Sequence, residues 1–451
     1  MKELIKKYNV PAPRYTSYPT VPFWDVDQFN TDTYLQSVVR SVKESNEQQG
    51  ISLYIHLPYC ESLCTFCGCN KRITKNHDVE GPYITALLKE WKMYTELMGE
   101  RPVIQEIHLG GGTPTFFSPE NIKNLISGIL DGARVLPQAE FGFEGHPNNT
   151  SREHLETLAK LGFSRVSFGI QDTSTAIQKV INRLQPWENV ERAVNWAREL
   201  NYSSINFDLV YGLPFQHKEN IEETIGKTLE LRPERIAFYS YAHVPWIKGL
   251  GQRKFTEADL PKDQEKRALY ELGCEKLREA GYVEIGMDHF SLEEDSLFKA
   301  WTNNTLHRNF MGYTSGKTQL MVGLGVSSIS DSWYGFAQNE KKVEDYLERV
   351  DRGEIPIFRG HILTAEDLFI RKKILEIMCF GETSITDKEM GERGSTIRER
   401  LLPLQQDGLV QLGEKVKVTE QGRTFLRNIC MAFDARLWRT SPDQQMFSMS
   451  V

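Results

Sequence analysis

From Ile51 to Tyr239 the sequence alternates short apolar runs with longer amphipathic ones, and this limits the fold more than any other feature. Strands are predicted at Ile51–Leu57, Val103–Leu109, Ala139–Glu144, Arg165–Ile170, Ile205–Val210 and Arg235–Tyr239. Helices are predicted between them at Gly81–Met98, Pro119–Asp131, Ser151–Leu161, Glu188–Leu200 and Ile221–Leu231. Strands separated by helices at this spacing imply parallel β-α units joined by right-handed crossovers. Six such units make an α/β fold, either an open, incomplete barrel or a doubly wound sheet. In both, the working face lies at the C-terminal ends of the strands.

Polar and glycine residues gather at that end. Cys60, Cys64 and Cys67 follow the first strand, and Gly110-Gly-Gly-Thr113-Pro114 follows the second. Glu144 ends the third, Gln171-Asp172 follows the fourth, and Asp208 lies near the end of the fifth. Tyr241-Ala242-His243 follows the sixth. Loops at strand ends carry chemistry on a rigid scaffold. The stretch from Cys60 to Cys69 holds four of the chain's seven cysteines, three of them spaced Cys-x3-Cys-x2-Cys. A cluster held by three thiolates leaves one iron without a protein ligand, and an open position on a metal marks reactivity. A structural zinc site is the alternative, but no second Cys or His pair stands at zinc spacing. Cys69 is read as structural or second-sphere, and Cys274, Cys379 and Cys430 as core thiols.

The remaining candidates are weaker taken singly. The glycine run lets bare backbone approach a ligand, but it lacks the spacing of a phosphate-binding or dinucleotide loop. Glu144, Asp208 and Arg183 suit a cofactor with an ammonium, a carboxylate and ribose hydroxyls, or serve as structural ion pairs. His243, His289 and His307 are individually satisfied hydrogen-bonders more often than catalysts. Arg14, Lys71, Arg72 and Arg308 are candidate anion contacts.

Charge and composition exclude other classes. A net charge of −7 argues against broad nucleic-acid or anionic-membrane binding. The N-terminal Met-Lys-Glu-Leu-Ile-Lys-Lys lacks a signal peptide's apolar core, and no run approaches the roughly 18 apolar residues of a membrane span. A cytoplasmic protein is expected. An odd cysteine count with four crowded together favours metal or redox chemistry over a disulfide framework. Four parts are expected: residues 1–50, an extended Pro-rich segment and helix covering the site; 51–246, the β-α core; 247–355, a barrel-completing and substrate-site elaboration; and 356–451, a helical domain. In the last of these, Leu401–Thr419 reads as a helix and hairpin of winged-helix type.

These residues resemble the radical S-adenosylmethionine (SAM) superfamily, and more closely its oxygen-independent coproporphyrinogen III oxidase (dehydrogenase) family. The likeness rests on the cysteine motif with Phe66 inside it, Pro13-Arg-Tyr-Thr-Ser-Tyr-Pro19, Cys67-Gly-Cys-Asn-Lys71 and Gly110-Gly-Gly-Thr-Pro114. It continues through Tyr211-Gly-Leu-Pro214, Tyr241-Ala-His243, Gly286-Met-Asp-His-Phe290, Leu306-His-Arg-Asn-Phe310 and Arg427-Asn-Ile-Cys-Met431. The resemblance implies an incomplete (β/α)6 TIM-like barrel with an N-terminal extension and a mostly helical C-terminal domain. It also implies a [4Fe–4S] cluster on Cys60, Cys64 and Cys67, and two SAM molecules. The first SAM would touch Tyr54, Gly111, Glu144 and Ile329. The second would lie near Phe66, Gly112, Thr113, Gln171, Arg183, Asp208 and Ala242. The implied catalytic residues are Tyr54 and Glu144. The implied reaction is oxidative decarboxylation of two propionates of coproporphyrinogen III to vinyl groups by a 5′-deoxyadenosyl radical. The enzyme would be a monomer served by an external flavodoxin- or ferredoxin-like donor. Such a substrate carries four carboxylates, for which arginine forks such as Arg14 or Arg308 are suitable clamps, and Tyr15 and Tyr18 would cover the site from the N-terminal segment. One departure is His146, where some members carry a carboxylate. The rival readings are a heme-binding chaperone and another tetrapyrrole-modifying radical SAM enzyme.

Overall fold

The structure, a computed structural model, describes residues 2–243, 252, 255–391, 393–440 and 447–450. The expected barrel boundary at 246 lies outside the described residues.

Six strands run in chain order across the middle of a 12-stranded sheet: β1 (Ile51–Leu57), β2 (Val103–Gly111), β3 (Arg134–Gly145), β4 (Phe163–Gln171), β5 (Ser204–Tyr211) and β6 (Arg235–Ser240). Every neighbouring pair among them is parallel. The intervening helices bury one stripe each against the sheet. Pro119–Asp131, for example, buries Ile122, Leu125, Ile126 and Ile129 and is capped by Ser118 accepting from the Asn121 N–H. This is the incomplete (β/α)6 barrel, and all six expected strands are present.

The sheet continues at both edges. Next to β6 lies β8 (His289–Ser291), antiparallel to it, and β7 (Val283–Gly286) pairs antiparallel with β8 at the sheet's edge. Beside β1 lies β9 (Leu320–Leu324), parallel, followed by antiparallel β10 (Ile329–Asp331), β11 (Gly335–Asn339) and β12 (Ile357–Ile362). Residues 325–328 form the short connection between β9 and β10. β12, expected within the helical tail, is the edge strand of the large sheet.

Beyond β12, Ala365–Phe380 and Arg393–Gln406 pack with a three-stranded sheet of Glu382–Ser384, Val410–Leu412 and Lys415–Val418. This gives the expected helix and hairpin. The second core contains Ile370, Ile374, Ile377 and Phe425, and it also takes in Tyr15 and Tyr18 from the N-terminal strap. The strap is held along its length. Arg427 donates to the carbonyls of Ala12, Pro13, Ser448 and Met449, and Pro11 bridges to Met449.

Candidate active site

The cysteine loop is fastened at its neck and its flanks. Tyr59–Cys60 pairs with Arg72–Ile73, and the Thr74 N–H donates to the Cys60 carbonyl at 2.9 Å. Gly112 and Thr113 donate to the carbonyls of Leu57 and Tyr59 at 2.8 and 3.0 Å, tying the loop to the end of β2. On the other flank, the Thr65 N–H donates to the Ile181 carbonyl at 2.9 Å, and Asn182 Nδ2 to that of Leu63 at 2.7 Å. The glycine run makes the first junction possible. A Cβ on Gly112 would stand 2.6 Å from the Pro58 backbone, and one on Gly111, at φ +111°, would stand 2.7 Å from the His56 ring.

Cys60, Cys64 and Cys67 are free and half-buried, and Cys69 is exposed. All four open onto one cavity of about 840 Å³ at the C-terminal ends of the barrel strands. Thr113 Oγ1 donates to Cys60 Sγ at 3.3 Å, and Arg183 Nη1 to Cys64 Sγ at 3.7 Å. Burial pushes the Cys60 thiol up to about 11. A hydrogen bond from Cys69 holds Cys67 below the usual thiol range, with help from Lys71 and Arg183. Three thiols on one fastened loop, with hydroxyl and guanidinium donors at sulfur, suit an iron–sulfur cluster, which is tuned by such hydrogen bonds. Among the described residues no three His, Cys, Asp or Glu stand close enough to share one metal ion.

The same cavity is lined by Phe66, Gly111, Gly112, Thr113 and Glu144, and further round by Gln171, Arg183, Asp208 and Ala242. Glu144 accepts from the Gly111 N–H at 3.2 Å, lies 3.6 Å from His108 Nε2 and keeps 43% of its side chain open. Asp208 accepts from Ser167 Oγ at 3.0 Å and Asn206 Nδ2 at 2.9 Å. Burial, followed by the charge of Glu144, pushes it up to about 6. Arg183 Nη2 donates to the Gly169 carbonyl at 2.6 Å, while Gln171 takes φ +68° at the end of β4. Bare Gly169 leaves room for both side chains.

Tyr54 and Ile329 stand apart from this lining. Tyr54 lies behind it, stacked on His108 with ring centroids 6.2 Å apart, its hydroxyl 3.1 Å from His56 Nδ1. His56 Nε2 reaches the Asn70 carbonyl at 2.9 Å, so Nε2 carries the proton and Nδ1 accepts from Tyr54. Ile329 opens β10 and packs against the Trp24–Phe336–Leu363 cluster.

The expected cover is also elsewhere. Tyr15 and Tyr18 are each 2% exposed, inside the C-terminal core, and the Tyr15 hydroxyl donates to Asp434 at 3.0 Å. Their rings gain more from apolar burial than from the rim of a wet cavity. His146 does line the cavity. Burial and the Arg183 charge hold it well below the ordinary imidazole value, so it presents a neutral ring. His243, near Phe255, and His307, which burial pushes down to about 3, are outside the lining. Sequence reasoning missed His56, His108, Arg165, Asn206 and Arg235. Each is a polar residue within or at the start of a barrel strand, which is the signal that could have found them.

Comparison with known proteins agrees with this geometry. The model of the radical SAM superfamily matches residues 54–227. The chain is 36% identical over 460 aligned residues to an oxygen-independent coproporphyrinogen III oxidase of Synechocystis sp., covering 100% of this chain and 97% of that protein. It is 38% identical over 452 residues to one from Salmonella typhimurium, covering 99% and 97%. The solved coproporphyrinogen III oxidase of Escherichia coli, described as a radical SAM enzyme, superposes with a TM-score of 0.88 at 35% identity, over 96% of this chain and 98% of that one. The chain belongs to the oxygen-independent coproporphyrinogen III oxidase family of the radical SAM superfamily.

Proposed function

We propose that this cavity oxidatively decarboxylates two propionate side chains of coproporphyrinogen III to vinyl groups, giving protoporphyrinogen IX, in anaerobic heme biosynthesis. The observation that carries the reading is the convergence of Cys60, Cys64 and Cys67 with Glu144, Arg183 and Asp208 on one cavity of about 840 Å³. When bound, a [4Fe–4S] cluster and SAM supply a 5′-deoxyadenosyl radical able to take hydrogen from a propionate β-carbon.

The chain's own residues hold, orient and enclose. Cys60, Cys64 and Cys67 would ligate the cluster, with Thr113 and Arg183 donating to their sulfurs. Glu144, fixed by the Gly111 N–H, presents an anionic oxygen to an ammonium, and Tyr54 with His108 and His56 braces the strands behind it. Asp208 and Gln171, with Gly112, Thr113, Phe66 and Ala242, would hold the second SAM. Ile329, set on β10 beside the Phe336 cluster, would contact the first SAM.

In this reading residues 51–246 form the catalytic barrel, 1–50 close over it, 247–355 complete the barrel and carry substrate-site residues, and the remainder is the helical domain. We assign the chain to the cytoplasm as a monomer fed by an external flavodoxin- or ferredoxin-like donor. Among the described residues no helix is long and apolar enough to cross a membrane. The comparisons do not favour the chaperone alternative.

The test is anaerobic turnover of coproporphyrinogen III with SAM and a reductant, followed by product masses. Two successive losses of CO2, each with two hydrogens, are expected, together with 5′-deoxyadenosine. A gain in mass by methyl transfer, or vinyl product from Cys64→Ala, overturns the reading.

A further inference from the structure

A hairpin outside the barrel, His307–Asn309 paired with Gly312–Thr314, sets Arg308 opposite Tyr313. The Arg308 guanidinium lies 4.5 Å over the Tyr313 ring, and its Nη2 donates to the Arg14 carbonyl at 3.3 Å. The side chain is buried at 4% exposure, and its Nε and Nη1 have no hydrogen-bond partner among the described residues. His289, whose ring centroid is 5.4 Å from that of Tyr313, carries a second such atom, Nδ1. Tyr313, His289 and Met311 all line the cavity.

The charges here do not cancel. Arg14, Arg308 and Arg427 lie together around the strap, and the carboxylate among them, Asp288, is taken by Arg14. Asp331 is taken by Arg371, which shares a small pocket with Arg308. Asp434 is held up toward its neutral form by burial and already accepts from Tyr15. Arg427 spends its donors on backbone carbonyls. Arg14 keeps 35% of its side chain open and sits beside Tyr239, another residue of the cavity wall. A buried guanidinium without a counter-ion is costly, and such groups persist where a ligand supplies the missing charge. A carboxylate is the planar anion that matches a guanidinium edge.

We propose that Arg308 and Arg14, with His289 Nδ1 beside them, form a carboxylate subsite that holds a propionate the reaction leaves intact. Met311, an unbranched thioether at the hairpin turn, is the side chain that yields to admit it. The subsite rests on the proposed function, because it presumes a polycarboxylate substrate. It adds the residues that fix which propionates stay away from the radical.

The probe is coproporphyrin III, the air-stable tetracarboxylate, compared with its tetramethyl ester. Binding to the full chain is read by porphyrin fluorescence, with thermal unfolding measured alongside. The wild-type chain is expected to prefer the acid. Arg308→Met should bind the acid about 10- to 100-fold more weakly, the range for a hydrogen bond to a charged group, and the ester unchanged. Arg308→Lys should recover part of the loss. The Tm of Arg308→Met should not fall, because the change removes an uncompensated buried charge. Unchanged acid affinity in Arg308→Met overturns the subsite. So does equal weakening of acid and ester with a lowered Tm, which marks a structural role. A wild-type chain that binds neither porphyrin nor turns over coproporphyrinogen III would instead overturn the function itself.

Discussion

Glu144 accepts a hydrogen bond from the Gly111 N–H at 3.2 Å, joining the end of β3 to the end of β2 at the mouth of the barrel. The bond fixes one carboxylate oxygen and leaves the group partly open to the cavity. Glu144→Gln keeps an acceptor for Gly111 but loses the charge offered to an ammonium. SAM affinity should fall about 10- to 100-fold with little change in Tm, because hydrogen bonds to charged groups contribute about 1.5–3 kcal/mol. Equilibrium binding of SAM and the rate of 5′-deoxyadenosine release check this.

The cysteine loop and the glycine strip give a matched pair of variants. A Cβ at Gly112 meets the Pro58 backbone, which cannot step aside without moving the loop neck, whereas a Cβ at Gly68 meets nothing within 4 Å. Gly112→Ala should therefore lose cluster iron and its visible absorbance, and Gly68→Ala should keep both. Iron content per chain after anaerobic reconstitution separates the two outcomes.

Arg183 brings positive charge to Cys64 Sγ. Donors and cations at cluster sulfur favour the reduced form. Arg183→Met should lower the cluster's reduction potential by about 50 mV, close to one tenfold step for a one-electron couple. A redox titration followed by electron paramagnetic resonance measures it, and an unmoved potential would show that the contact has no electronic effect.

Asp208 supplies a pH dependence. Its folded value of about 6 lies above the ordinary 3.8. Across that window the folded chain keeps a proton that the unfolded chain releases, so stability falls as pH rises from about 4 to 6 and stays lower above it. Asp208→Asn lacks this loss. The cofactor-free variant should gain on wild type by about 2 kcal/mol between pH ~4 and pH ~7, a figure reduced because the group faces a cavity. Thermal unfolding at the two pH values gives the difference, and a constant offset would refute it.

The barrel strands were legible because each is a buried apolar run between helices of clear 3.6-residue period. The first half of β3 was not, since Arg134–Gln138 is mostly exposed and contains Pro137. β9 to β12 were lost for another reason. They are three to six residues long, and their partners are set by distant chain rather than by local pattern. The cysteines, Glu144 and Asp208 announced themselves by chemistry at strand ends. His108 and His56 did not, because a single imidazole in an apolar strand reads as noise until its stacking partner is known. Tyr15 and Tyr18 were misplaced because adjacency to Arg14 in sequence suggested a shared task, whereas an extended chain points successive side chains in different directions.

The strap that carries Arg14 is gripped by Arg427 and bridged to Met449, near the other end of the chain. A change at Arg427 would therefore loosen the seat of Arg14, although more than four hundred residues separate the two in the chain.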